Sequence, residues 1–377
     1  MSGAAKHCIA HLVPNSGPNV YYQAFWEYLP RDRYEVDYIS FEPPGALHDW
    51  ARQRGAVAES LHAGTGTRAA PYAFVQLLRL LRRRPYDLVH LHGFCALASG
   101  LPAARCLGVK CVVYNHYYGR ELLLYKGNWV SRWIDRTFSP RVDHLIAVSR
   151  DLEEYALGDL KMPRERVSLI HFGFDFPAGR LSAEDRAKLR QRAGLSPEDF
   201  VVGCVARLHW TKGQADLLEA LASAGARAAR PLRAVFLGEG PDREKLEQRA
   251  NSLGIGSRVR FLGWQPDVWT WYQLMDVLVH PSRQRAYEQV IPESMAMGTP
   301  VVATPIGAAR EMFVHGQNGW LVPEQDPAAI AQALEDLSRT PLSPIGRAAA
   351  DTVQSQLGSR QDMVAAYDRL YQKLLAG

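Results

Sequence analysis

Two stretches carry the reading of this chain: Val201-Val-Gly-Cys-Val-Ala-Arg-Leu-His-Trp-Thr-Lys-Gly213 and His280-Pro-Ser-Arg-Gln-Arg-Ala-Tyr-Glu-Gln-Val-Ile-Pro-Glu-Ser-Met-Ala-Met-Gly-Thr-Pro-Val-Val-Ala-Thr-Pro305. The first is a continuous apolar run of strand length that ends in two cations, Arg207 and Lys212. Continuous rather than alternating apolarity is the mark of a strand covered on both faces, as in a parallel sheet. The second leads from a short apolar run into a helix opened by Glu293 and closed by Gly298-Thr-Pro, after which a new strand begins. Positive charge at a strand tip and a carboxylate at a helix start suit a nucleotide diphosphate: cations for the phosphates, an acceptor for ribose hydroxyls. Taken singly, the cations are equally compatible with solvated surface charges, and Glu293 with a residue that stabilises a helix dipole.

The same alternation extends outward in both directions. Strand candidates fall at 7–13, 35–41, 87–92, 111–116, 144–149 and 166–171, then at 200–207, 232–238, 259–262, 277–280 and 301–304. Helical stretches separate them at 19–29, 72–84, 150–157, 212–225, 241–253, 290–297 and 327–338, with a last amphipathic helix over 360–375. Strands alternating with helices at this spacing predict right-handed crossovers and an α/β chain of two Rossmann-like, doubly wound domains. In such sheets ligands sit at the carboxyl ends of the strands, and two sheets that face each other offer the cleft between them. The Pro- and Gly-bearing polar segment around 177–198 is the best boundary.

At 377 residues and 47% hydrophobic, the chain is long enough for two ordinary cores. Lys and Arg outnumber Asp and Glu 22 to 17 in residues 1–180 and balance them 22 to 22 thereafter, so the whole surplus lies in the first half. That half is where an anionic partner is expected, unless a few arginines fall there by chance. The five cysteines, Cys8, Cys95, Cys106, Cys111 and Cys204, are widely spaced and mostly inside apolar runs, which predicts buried reduced thiols and neither a disulfide framework nor a zinc site. No signal-peptide core or membrane-length apolar run is visible, so a cytoplasmic location is expected. The basic stretch Leu77–Arg84 and the Trp-, Leu- and Arg-bearing segment 121–136 suggest at most peripheral contact with anionic membrane, or ordinary crossover helices with an Arg face. Nucleic acid is not an expected partner, because the arginines are not interleaved with exposed aromatics.

Several motifs resemble one family. Ala206-Arg-Leu-His-Trp-Thr-Lys-Gly213, Gly238-Glu-Gly-Pro-Asp-Arg-Glu-Lys-Leu246, Val259-Arg-Phe-Leu-Gly263, Glu293-Ser-Met-Ala-Met-Gly-Thr-Pro-Val-Val-Ala-Thr304 and Asn318-Gly-Trp-Leu-Val-Pro323 are similar to successive motifs of GT4-type retaining glycosyltransferases of the GT-B fold. Val148-Ser-Arg-Asp-Leu152 matches in the first half, and Phe172-Gly-Phe-Asp175 keeps part of another motif.

The resemblance implies a retaining, metal-independent transfer of a sugar from a UDP- or GDP-linked donor to a glycan, lipid-linked or small-molecule acceptor, with no cofactor. It implies an acceptor-side domain over 1–176, a donor-binding domain over 199–355, and a final stretch, 356–377, whose helix crosses back to the first domain. Arg207 and Lys212 would hold the diphosphate, Glu293 the ribose, Gly263 and Trp264 the base, and His116 the sugar. The backbone of Tyr287, Glu288, Gln289 and Val290 would cradle phosphate and sugar, with Gly17 and Gly240 in loops of close approach. His90 and His92 would structure a loop near the acceptor. The family's Glu-x7-Glu motif departs at its first position, which is Arg285 here; Glu288, in a slot usually held by Gly, is the nearest replacement carboxylate. The alternatives are a nucleotide-sugar-binding protein with lost or altered transfer, and a sugar-nucleotide epimerase of similar fold.

Overall fold

A computed structural model describes residues 6–117, 129–177, 179–225, 227–283 and 287–376. Packing divides the chain into two units, Met1–Asp175 with Gly358–Gly377, and Phe176–Leu357.

The first unit holds β1 (His7–Val13), β2 (Tyr34–Ser40), β3 (Ala58–Ser60), β4 (Leu88–His92), β5 (Cys111–His116), β6 (His144–Ala147) and β7 (Val167–Leu169). They form one sheet in the order β3-β2-β1-β4-β5-β6-β7, parallel at every pairing. The second unit holds β8 (Phe200–Val205), β9 (Leu232–Leu237), β10 (Val259–Gly263), β11 (Val277–His280), β12 (Val301–Ala303) and β13 (Trp320–Leu321). Their order is β10-β9-β8-β11-β12-β13, again all parallel. Each order reverses once, between β1 and β4 and between β8 and β11. At such a reversal the crossover helices leave to opposite faces and open a crevice at the carboxyl ends.

The central strands are apolar and buried on both faces, with Val201, Val202, Leu278 and Val279 each at 0% exposure. This is why they read as continuous apolar runs. The helix Gly93–Cys106 escapes periodicity for a related reason. It is apolar nearly all round, and a Cβ on its Gly100 would overlap the Leu12 and Leu91 side chains of the sheet beneath. Two very short edge strands, β3 and β13, also carry no readable pattern.

Residues 177–198 differ from the linker expected of them. They belong to the second unit, where the helix Ala183–Arg192 is tied down by Arg186 donating to Asp276 at 3.0 Å and by Arg190 Nε donating to the Leu274 carbonyl at 2.8 Å. Cys95, Cys111 and Cys204 are buried and all five thiols are free, but Cys106 is exposed and Cys8 half-buried, because both lie at element ends. The basic stretch ends a crossover helix, Ala70–Leu81, whose Ala73, Leu77 and Leu81 face the core; beyond it, Arg84 pairs with Asp37 at 2.9 Å.

The last helix, Arg360–Leu375, packs into the core of the first unit through Met363, Val364, Tyr367, Leu370 and Tyr371. A buried polar network fastens it. Tyr371 Oη lies 2.5 Å from His90 Nδ1, and Tyr367 Oη is 2.8 Å from both Tyr21 Oη and Asn115 Nδ2. His11 Nδ1 and His92 Nε2 are 2.9 Å apart, and His92 Nδ1 lies 2.8 Å from Tyr117 Oη. His90 and His92 are thus core residues, and His90 anchors the helix, a deeper position than the loop role expected for them.

Candidate active site

The cations of the first quoted stretch leave β8 together and then part. Arg207 follows the strand directly and is exposed. The chain next makes a short turn, Trp210–Lys212, closed by Gly213 at φ +69°. No side chain fits there, because a Cβ on Gly213 would overlap the Pro281 carbonyl just beyond β11. The turn is thereby clamped to the end of β11, and Arg283 N–H donates to the Thr211 carbonyl at 2.8 Å. Arg283 itself is spent on both oxygens of Asp216, at 2.9 and 2.8 Å.

Lys212 points into this junction. Its Nζ donates to Glu288 Oε1 and Oε2 at 3.0 and 3.1 Å. Ser282 Oγ donates to Oε1 at 3.2 Å, and His280 Nε2 stands 3.3 Å from Oε2. Burial alone would push the Glu288 carboxyl up, but Lys212 and His280 beside it prevail and hold it at about 2. The Glu288 carboxylate is therefore ionised throughout the neutral range.

On the other side of β8, Arg207 lines a pocket of about 410 Å³ together with Gly238, Glu239, Trp264, Gln265, Tyr272 and Glu293, among others. Trp264 is 68% exposed and follows the end of the edge strand β10, presenting a large aromatic face at the rim. Glu293 receives the Tyr272 hydroxyl on Oε2 at 2.7 Å. Burial raises its pKa, against the lowering effect of that hydrogen bond. Among the described residues Oε1 accepts nothing, and the Arg207 guanidinium has no carboxylate partner. An aromatic face, an acceptor carboxylate and an unpaired guanidinium around one pocket can bind a base, a vicinal diol and a phosphate.

The structure thus brings Arg207, Trp264 and Glu293 to one pocket, with Gly263 at φ +71° beside it. Gly240 is kept small by the protein itself, since a Cβ there would overlap the Leu208 backbone. The Tyr287 ring is buried, with its hydroxyl 3.7 Å from Met312 Sδ, so only its backbone remains for a ligand. Gln289 and Val290 open the helix Val290–Ala296, and first-turn N–H groups have no intrahelical acceptor. Arg285 lies outside the described residues. Gly17 and His116 belong to the first unit. Gly17 sits in the loop after β1, where a Cβ would meet no atom within 4 Å. His116 is 2% exposed, and its Nε2 lies 3.1 Å from Asp135 Oδ1, a carboxylate that also receives Tyr155 and Ser139. Of its ring nitrogens, only Nδ1 is without a partner, and it is enclosed.

Tyr272, Glu239, His280 and Ser282 were not singled out from sequence. His280 and Ser282 lie in the quoted stretch and were readable as strand-end polar groups; Tyr272 has no local signal. Among the described residues one cluster has the reach of a metal site, His11, His90 and His92, all buried. Its nitrogens are committed to Tyr371, Asn115, Tyr117 and one another, apart from His11 Nε2.

The model of the family described as Glycosyltransferase Family 4 matches residues 15–176, and that described as Glycosyl transferases group 1 matches residues 199–340. The putative glycosyltransferase EpsD of Bacillus subtilis (strain 168) is 30% identical over 272 residues, which cover 71% of this chain and 71% of EpsD. D-inositol 3-phosphate glycosyltransferase 1 of Catenulispora acidiphila is 31% identical over 278 residues, 68% of this chain and 65% of that protein. Among solved structures, Anabaena HepE in complex with UDP-glucose is 25% identical, with a TM-score of 0.76 over 98% of this chain and 99% of HepE. Both units are matched by glycosyltransferase models and each is a doubly wound parallel sheet, so the chain belongs to the GT4-type glycosyltransferases and has the GT-B fold.

Proposed function

We propose that this protein transfers a sugar from a UDP-linked donor to an acceptor hydroxyl on a glycan, lipid-linked or small-molecule substrate, with retention and without a metal ion. The pocket of Arg207, Trp264 and Glu293 carries the reading. Trp264 lies along the base, Glu293 Oε1 accepts from the ribose, and Arg207 and Lys212 take the diphosphate. The UDP-glucose complex of HepE supports this donor class. In the transfer, the bond from the anomeric carbon to the β-phosphate oxygen breaks and its electron pair stays on that oxygen. The acceptor oxygen bonds to the same face of the sugar, and its proton passes to the departing phosphate. Fixed cations that face the oxygen where charge grows lower the barrier without reorganising. His116 and Gly17 enter as the resemblance implies them, as donor contacts from the first unit.

A panel of UDP- and GDP-sugars, assayed for released nucleoside diphosphate with and without EDTA, tests the proposal. Turnover with a UDP-sugar that survives EDTA, giving a product of unchanged anomeric configuration, is expected. UDP binding without turnover on any donor and acceptor offered would mark a binding protein instead.

A further part of the proposal is a resting place on anionic lipid. The helix Trp129–Phe138 turns Trp129, Arg132, Trp133 and Arg136 outward, with Trp129 at 74% and Trp133 at 55% exposure. Indole rings flanked by guanidinium groups suit the interface of an acidic bilayer. The rest of the segment read for this role, 121–128, lies outside the described residues. No helix among the described residues is long and apolar enough to cross a membrane.

A further inference from the structure

Glu288 stands where the resembling family keeps glycine, in the motif whose usual first glutamate is replaced by Arg285. A carboxylate at that place either grips a hydroxyl of the transferred sugar or acts on a neighbouring side chain. An ionised carboxylate has about four lone-pair directions to offer. Here Lys212 occupies one on each oxygen, at 3.0 and 3.1 Å. The Ser282 hydroxyl takes a second direction on Oε1 at 3.2 Å, and the His280 ring stands against Oε2, its Nε2 at 3.3 Å without hydrogen-bond alignment. The group is also enclosed, with Glu288 at 8%, His280 at 1% and Ser282 at 0% exposure. With Lys212, Ser282 and the His280 ring packed around both oxygens, a sugar hydroxyl has no open approach to the carboxylate. Lys212, in contrast, has three N–H donors and gives two to Glu288, so one remains for an outside oxygen. The backbone around the pair is locked as well, by the fit of Gly213 against Pro281 and by the hydrogen bond from Arg283 to Thr211.

We propose that Glu288 is a positioning residue for the transfer: it aims the Lys212 ammonium at the diphosphate and takes no part in holding the sugar. This rests on Lys212 being a diphosphate contact, as proposed above.

The test is a double-mutant cycle on Glu288→Gln and Lys212→Ala, read as Kd for UDP and for UDP-glucose by calorimetry. Action through Lys212 predicts that Glu288→Gln weakens UDP and UDP-glucose by the same factor, about tenfold. It also predicts that the substitution costs nothing further once Lys212 is alanine. A carboxylate that held the sugar would weaken UDP-glucose alone and add to Lys212→Ala, and that result overturns the proposal. A carboxylate of merely structural importance would cost the same factor in both backgrounds, which overturns it too. If Glu288→Gln does not fold, Glu288→Asp, which keeps the charge but withdraws it by one methylene, goes through the same cycle with the same expectations. Wild-type protein that binds neither nucleotide overturns this proposal together with the donor reading, whereas wild-type binding with an additive cycle overturns this proposal alone.

Discussion

Arg207 and Lys212 leave the same strand but meet different surroundings, and their substitutions are expected to differ accordingly. Arg207 is exposed and without a carboxylate partner among the described residues, while Lys212 is locked to Glu288 at 3.0 Å. If they face the departing diphosphate as proposed, Arg207→Ala and Lys212→Ala are each expected to lower kcat by roughly 10²–10³. Lys212→Ala also leaves the enclosed Glu288 carboxylate without its counter-charge, so it is expected to lower Tm where Arg207→Ala does not. Near-wild-type turnover in both variants would remove the assignment. Glu293 gives a sharper reading. With Oε2 already filled by Tyr272, its remaining oxygen is the proposed ribose acceptor. Wild type is expected to prefer UDP over 2′,3′-dideoxy-UDP by about tenfold, and Glu293→Gln to lose most of that preference. An unchanged preference in the variant would place the ribose elsewhere. The places of Arg207 and Lys212 after a strand and of Glu293 in the first turn of a helix were legible, because cations after a strand and a helix-start carboxylate announce themselves locally. Tyr272 and the pairing of Glu288 with Lys212 were not, since each is a contact between segments far apart in the chain.

At the scale of elements, two cases show how far periodicity carries. The outward face of Trp129–Phe138 repeats at helical spacing, with Ser131, Ile134 and Asp135 buried on the opposite side. Two interfacial indoles and two guanidiniums are expected to bring the protein down with vesicles rich in anionic lipid at low salt. Charge reversal at Arg132 and Arg136, or alanine at Trp129 and Trp133, should release most of it while leaving turnover on a soluble acceptor intact. Co-sedimentation that ignores both pairs of substitutions would end the lipid reading. The helix Gly93–Cys106 is the opposite case: with apolar residues on every side it has no face to read, and only its burial against the first sheet declares it.

At the scale of the whole molecule, acid is expected to unfold the two units in sequence. Burial holds His11 and His92 well below the ordinary histidine value and His90 at about 3, so all three are neutral in the folded first unit. Unfolded, they take up protons near pH 6.5. Their contribution is therefore complete above that pH and is lost as pH falls from about 6.5 towards 3, at up to ~1.4 kcal/mol per pH unit for each proton taken up. Glu288 works in a lower window. Its folded pKa of about 2 lies below the unfolded value of 4.5, so its stabilisation of the second unit is present above about 4.5 and fades only as pH drops towards 2. Urea midpoints between pH 7 and 5 should fall for the first unit and stay level for the second; a level first-unit midpoint would refute the neutral histidine core. The α/β class, the alternation of elements and the family motifs were all determined by the sequence alone, because apolar runs, glycine turns and strand-end charges act over a few residues. Strand order, the membership of 177–198 in the second unit, the docking of Arg360–Leu375 on the first through His90 and Asn115, and the enclosure of His116 and Glu288 were decided only by the tertiary structure. Each depends on which distant groups a buried polar atom meets, and a partner separated by up to hundreds of residues leaves no trace in local pattern.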